Sequence, residues 1–180
     1  MRSRAKVRAG VSLVELMVVV AIVGVLATIA QFAYSRYVRK GRVMNEVIPL
    51  FSELKAKEES FASENGAYLA TGAFWPTPIN GQPTVIPTAT FPVPWQQLRI
   101  QPGKTALYCQ YQAFAGTAGQ APPEAIGLTM YATELAANAG VLPTNWFYLV
   151  ARCDMDNDAA LSTYATRHDL MEMVTYSEGE

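Results

Sequence analysis

The strongest pattern along the chain is an apolar run from Val11 to Ala30, 20 residues whose only charge is Glu15. That length is what an α-helix needs to cross a bilayer. Beyond it the hydrophobic positions change period. Tyr37, Met44, Val47 or Ile48, Phe51, Leu54 and Phe61 recur at three-, four- and seven-residue steps, which places them on one face of a helix. Glu53, Lys55, Lys57, Glu58, Glu59 and Glu64 fill the remaining positions and read as a wet outer face. Gly66, directly after Asn65, suits a C-cap. The pattern therefore predicts one helix over residues 11–65, about 80 Å long at 1.5 Å per residue. Gly41 weakens it, and Pro49 removes an amide and crowds the carbonyl of Asn45, so a kink is expected near 45–49.

From 66 to 104 no period holds. Pro76, Pro78, Pro83, Pro87, Pro92 and Pro94, with Trp75 and Trp95 among them, predict a long surface loop held by aromatic anchors. Four strand-like runs follow: Ala106 to Phe114, Ile126 to Ala132, Trp146 to Cys153 and Leu170 to Tyr176. They are rich in aromatic and β-branched residues, and Gly, Pro and Asn separate them, notably in turns at 118–123 and 138–145. An antiparallel sheet needs a cover for one face, and the second half of the long helix, with Phe51, Leu54 and Phe61, can supply it. The expected class is α+β.

Charge is informative through its placement. Arg2, Arg4, Lys6 and Arg8 precede the apolar run, and Arg36, Arg39, Lys40 and Arg42 follow it. From Thr105 onward there are nine acids against two bases, Arg152 and Arg167. No basic stripe marks the distal part, so nucleic-acid binding has no electrostatic support. The basic residues after the apolar run read as an interfacial anchor.

A carboxylate inside the apolar run is costly. At the centre of a membrane helix a charge is priced at about 2.5–3.5 kcal/mol, so Glu15 implies a partner within the membrane or an assembly. With the basic leader ending at Gly10 and the segment opening Val11-Ser12-Leu13-Val14-Glu15-Leu16, the N-terminus resembles the type IV pilin family, including the pseudopilins of type II secretion. The resemblance is specific over about the first 35 residues. It implies that prepilin peptidase cuts between Gly10 and Val11, that the new N-terminus is methylated, and that Glu15 directs assembly by meeting the amino terminus of another subunit. In low dielectric that pairing gains far more than in water, offset in part by desolvation. Snorkelling of Glu15 to the headgroups is the plainer reading. Loss of the leader would take the net charge from −1 to −5.

The implied organisation is a cleaved leader at 1–10, a transmembrane and assembly helix at 11–35, its amphipathic continuation at 36–65, and a globular head at 66–180, divided into a loop at 66–104 and a sheet at 105–180. The implied topology puts the leader in the cytoplasm and the head in the periplasm, with the subunit later joining a periplasmic or cell-surface filament. Implied partners are other pilin or pseudopilin subunits, prepilin peptidase, an inner-membrane assembly platform and the lipid bilayer. Gly24 also matches the family pattern and would permit close helix approach. Two positions depart from it. Val11 stands where phenylalanine is common, and Ala30-Gln31-Phe32-Ala33 lacks the proline many pilins carry. The missing proline removes the expectation of a family-specific bend there; Val11, with a distal half unlike an abundant major pilin, favours a minor pilin over a major one, with a secretion pseudopilin as the alternative.

A secretory signal competes with this reading, since Thr28-Ile29-Ala30 loosely fits a small-residue cleavage site. The glutamate within the apolar run, the glycine directly before it and the passage into a helical pattern argue otherwise. A membrane-anchored periplasmic binding or enzymatic domain is the alternative of a different class.

Cys109 and Cys153 are either two buried thiols or a disulfide. An exported domain with only two cysteines favours pairing, which would close a loop of about 45 residues. Asp154, Asp156, Asn157 and Asp158 resemble the start of a calcium loop, and some pseudopilins bind calcium in distal loops. Ala159 stands where that loop needs glycine and Ala165 where it needs a bidentate glutamate. No metal is expected, with Asp154, Asp156 and Asp158 as weak candidates only, and no other cofactor. His168, the single histidine, lies between Arg167 and Asp169 and reads as a solvated turn residue. Neither the serines nor the cysteines have a base and orienting partner, so no enzyme is expected.

Overall fold

The structure is a computed structural model that describes residues 11–86 and 91–177. Its dominant element is α1, Leu13–Asn65, a single helix of 53 residues running through Gly41 and Pro49. The chain divides into two compact units between Val38 and Arg39. The first consists, in its described part, of the apolar start of α1, where the side chains from Val11 to Ile29 are exposed. By length and composition this helix can cross a membrane.

In the second unit α1 buries Val43, Val47, Leu50, Phe51 and Leu54. The three- and four-residue steps are those of one helical face. Of the alternatives read from the sequence, Val47 faces inward and Ile48 remains half exposed. Tyr37 lies outside this face and is exposed. Glu58 corrects the expected wet face: it sits one turn beyond Leu54 on the buried side and is fully covered. Gly66, with φ +78°, ends the helix, its N–H donating to the Ala62 carbonyl at 2.7 Å.

The sheet is antiparallel and four-stranded, in the order β3 (Cys109–Gly116), β4 (Trp146–Cys153), β5 (Ser162–Arg167), β6 (Val174–Ser177). A two-stranded ribbon pairs β1 (Thr84–Val85) with β2 (Ala106–Leu107). The expected strand from Ala106 to Phe114 is thus shared between two sheets, broken at Tyr108. α2 (Val93–Gln97) opens after Pro92 and carries fully buried Trp95, which packs against Trp75 at 4.8 Å between ring centroids. The 66–104 segment is mostly irregular, as its prolines predict, but β1 and α2 are regular elements within it.

The run Ile126 to Ala132 is helical, not a strand: α3 (Ala125–Met130) and α4 (Ala132–Ala137) cover the sheet face opposite α1. Ala, Leu, Met and Glu are good helix formers. Gly127 lets α3 sit on the Tyr148 ring, where a Cβ would lie 2.6 Å from the ring. β4 explains the resulting layers. Phe147, Leu149, Ala151 and Cys153 join the core under α1, while Trp146, Tyr148 and Val150 join the core under α3 and α4. A strand covered on both faces reads as a continuous apolar run. β5, Ser-Thr-Tyr-Ala-Thr-Arg, was missed because its buried positions include three hydroxyl residues. The run expected from Leu170 becomes regular only at Val174; its first half is a turn.

Candidate functional site

At the start of α1, Ser12 is the N-cap. Its Oγ accepts the Glu15 N–H at 3.1 Å and its carbonyl accepts the Leu16 N–H at 3.2 Å. Ser12-Leu13-Val14-Glu15 therefore has the spacing of a capping box, in which a Ser hydroxyl satisfies the N–H three residues on. The signal was present in the sequence but was read only for Glu15. The Glu15 carboxylate sits in the first turn, where the helix dipole favours a negative charge. It is exposed and has no side-chain partner among the described residues. Val11 is exposed beside it, and Gly24 has nothing within 4 Å of where its Cβ would stand. Gly10 and the rest of the leader, 1–10, lie outside the described residues.

Farther along α1 two acids are buried in the second unit. Glu46 accepts the N–H groups of Tyr108 at 3.0 Å and Cys109 at 2.9 Å, and the Tyr111 hydroxyl at 3.0 Å. Lys104, half exposed, lies 4.0 Å away. The carboxylate thus pins the helix to the start of β3, where Cys109 is disulfide-bonded to Cys153 directly across the strand pair. Burial, and then the Glu46 charge, pushes the Tyr111 phenol well above its ordinary range, so it remains a donor. Glu58 accepts the Leu69 N–H at 2.9 Å through one oxygen. Burial raises it from 4.5 to about 7, opposed by the Leu69 hydrogen bond and reinforced by Glu59. Neither acid was singled out from the sequence, because an acid on a mixed helix face carries no local mark of what lies opposite.

Residues 5–31 match the family described as the prokaryotic N-terminal methylation motif. The chain is 38% identical over 68 residues to the fimbrial protein EcpC of Eikenella corrodens, an alignment covering 38% of this chain and 44% of that protein. The likeness to type IV pilins lies in the N-terminal part of the chain. It spans less than half the length of the curated relative it matches. No solved structure matches it.

Two further groups belong to the second unit. Asp154, Asp156 and Asp158 bring carboxylate oxygens within 4.8 Å of one another. Asp154 Oδ1 accepts the Asn157 N–H at 2.7 Å, Asp158 Oδ1 accepts the Ala160 N–H at 2.8 Å, and Asp156 lies 3.5 Å from Arg39 Nη2. These are the bonds of an Asx-type turn. One oxygen of each carboxylate serves the loop or Arg39.

His168 is half-buried, against the expectation of a solvated residue, with Tyr131 and Phe147 each 6.0 Å away between ring centroids. The Tyr131 hydroxyl lies 2.8 Å from the Phe147 carbonyl and 2.9 Å from His168 Nδ1. A carbonyl can only accept, so the phenol donates to it, and Nδ1 carries the proton that donates to the phenol oxygen. Arg167 stacks on the same ring at 4.8 Å and pairs with Glu134 at 2.9 Å and Asp169 at 2.7 Å. The group ties α3 and α4 to the end of β5.

Proposed function

We propose that this chain is a structural filament subunit of a type IV pilus-like machine, a minor pilin with a priming or tip role. Prepilin peptidase cleaves it between Gly10 and Val11, and the new amino group is methylated. The single observation that carries this reading is Glu15: a carboxylate in the first turn of an otherwise apolar helix, inside the methylation motif, with no partner in its own described chain. After cleavage the amino group at Val11 supplies the complementary charge on a neighbouring subunit. The apolar part of α1 anchors the subunit in the inner membrane with its head in the periplasm until assembly extracts it. The head is a packing and recognition body, not a catalyst, and the partners are other pilin subunits, the peptidase and the assembly platform.

Intact mass of the protein extracted from cells tests the processing: loss of residues 1–10 with one added methyl is expected. Glu15→Val should insert and be cleaved yet be missing from sheared filaments. A mature protein still beginning at Met1, or wild-type recovery of Glu15→Val in filaments, overturns the proposal. A membrane-anchored binding or enzymatic domain would show no processing at Gly10 and indifference to Glu15→Val.

A further inference from the structure

The segment after α1 is tied down at three points. Asn145 Nδ2 donates to the Gly66 carbonyl at 2.8 Å, Leu69 N–H donates to Glu58 at 2.9 Å, and Thr71 N–H donates to the Ala113 carbonyl at 3.0 Å. The middle tie differs from the others in depending on an ionisable group. Glu58 is fully buried, and its Oε1 has no hydrogen-bond partner among the described residues. A buried carboxylate oxygen without a donor is costly when charged and far less so when the group holds a proton.

The neighbouring charges do not relieve it. On the helix, Glu59 is a like charge, and Lys55 donates to the Leu170 carbonyl with Asp169 as its electrostatic partner. On the strap, the Tyr68 hydroxyl is turned to Glu59 at 3.2 Å. At the end of β5, His168 lies behind the Tyr68 ring, 6.3 Å away between ring centroids. None of these donates a hydrogen bond to Glu58 Oε1.

We infer that Glu58 is a proton-operated latch: protonated, it holds the 66–71 strap closed against the sheet, and ionised, it loosens that strap and the head with it. This goes beyond the filament reading and depends on the head alone. Burial raises the group from 4.5 to about 7, so between those values the folded head keeps a proton that the unfolded chain has released. Stability is therefore full below 4.5 and is lost as pH rises, levelling off above about 7. Each unit within that window weakens the closed state up to about tenfold. From pH 5.5 to 8.5 the chain crosses about 1.5 units of it, about a 30-fold change in the opening equilibrium.

Hydrogen exchange at the Leu69 amide, corrected for intrinsic pH dependence and measured on the full chain in detergent micelles, reads the latch. Protection should fall about 30-fold from pH 5.5 to 8.5 in the wild type. In Glu58→Gln, which mimics the protonated group, it should be flat and stay high at pH 8.5. Glu59→Gln should keep most of the wild-type dependence. A carboxyl carbon signal of Glu58 titrating near neutrality supports the latch even if the glutamine variant fails to fold. Titration at the ordinary carboxylate value, a flat wild-type profile, or a pH dependence that survives in Glu58→Gln overturns it.

Discussion

Glu46→Ala is the sharpest test of how the head is held to its helix. The carboxylate is 3% exposed and receives three donors, all within 3.0 Å of Oε1: the N–H groups of Tyr108 and Cys109 and the Tyr111 hydroxyl. Removing it leaves two amides and a phenol without their acceptor, all facing the core between α1 and β3. Each unsatisfied buried donor costs about 1–3 kcal/mol, partly relieved where the phenol can turn. A loss of about 3–5 kcal/mol is expected, the range for breaking a buried charged group's network. Glu46→Gln should cost less, about 1–2 kcal/mol, because a carbonyl oxygen placed at Oε1 keeps all three donors, and what is lost is the second acceptor for the Tyr108 N–H at Oε2 and the charge toward Lys104. Denaturant titration of the full chain in micelles, followed by fluorescence of Trp75, Trp95 and Trp146, measures both. If alanine and glutamine cost the same, or alanine costs under about 1 kcal/mol, the pinning role is wrong.

Two other substitutions address the same core. Replacing Cys109 and Cys153 together by serine opens a link between residues 44 apart and should cost about 4 kcal/mol in the chain-entropy model, read as a fall in denaturation midpoint that reducing agent reproduces in the wild type. Gly116→Ala would place a Cβ 2.3 Å from the Trp146 ring, whose Nε1 is bonded to the Gln120 carbonyl at 3.1 Å; a loss of about 1–3 kcal/mol is expected, against almost none for Gly103→Ala, where the space is open.

Much of this architecture was legible because it rests on long, regular signals. The apolar run from Val11, the changed period after it and the glycine at 66 together specify α1, and β4 shows itself as a run apolar at nearly every position. Elements that the sequence misassigned are those decided by tertiary context. Ile126 to Ala132 has the apolar content of a strand, yet its pieces are short helices whose backbone reaches the Tyr148 ring through Gly127. β5 is built from Ser162, Thr163 and Thr166 in buried positions. Nothing local distinguishes these from a polar turn, because a hydroxyl residue is acceptable in a core only once its partners are in place.

Three of the six acids of α1 show the same limit in a single helix. Of Glu15, Glu46 and Glu58 only Glu15 looks exceptional in the sequence, because it is the single charge in the 20-residue apolar run, whereas Glu58 lies between Lys57 and Glu59. What separates them is what lies opposite. Glu46 faces two amides and a phenol, all of which donate to it. Glu58 faces one amide and is better satisfied with a proton. Glu15 has its backbone capped by Ser12 and no partner for its carboxylate among the described residues. Burial with a single donor favours the neutral form of Glu58, and an acid in an apolar helix is costly unless something pairs with it. On that logic a Glu15 variant should change what the subunit joins while leaving the head's stability untouched, and variants at Glu46 and Glu58 should do the reverse.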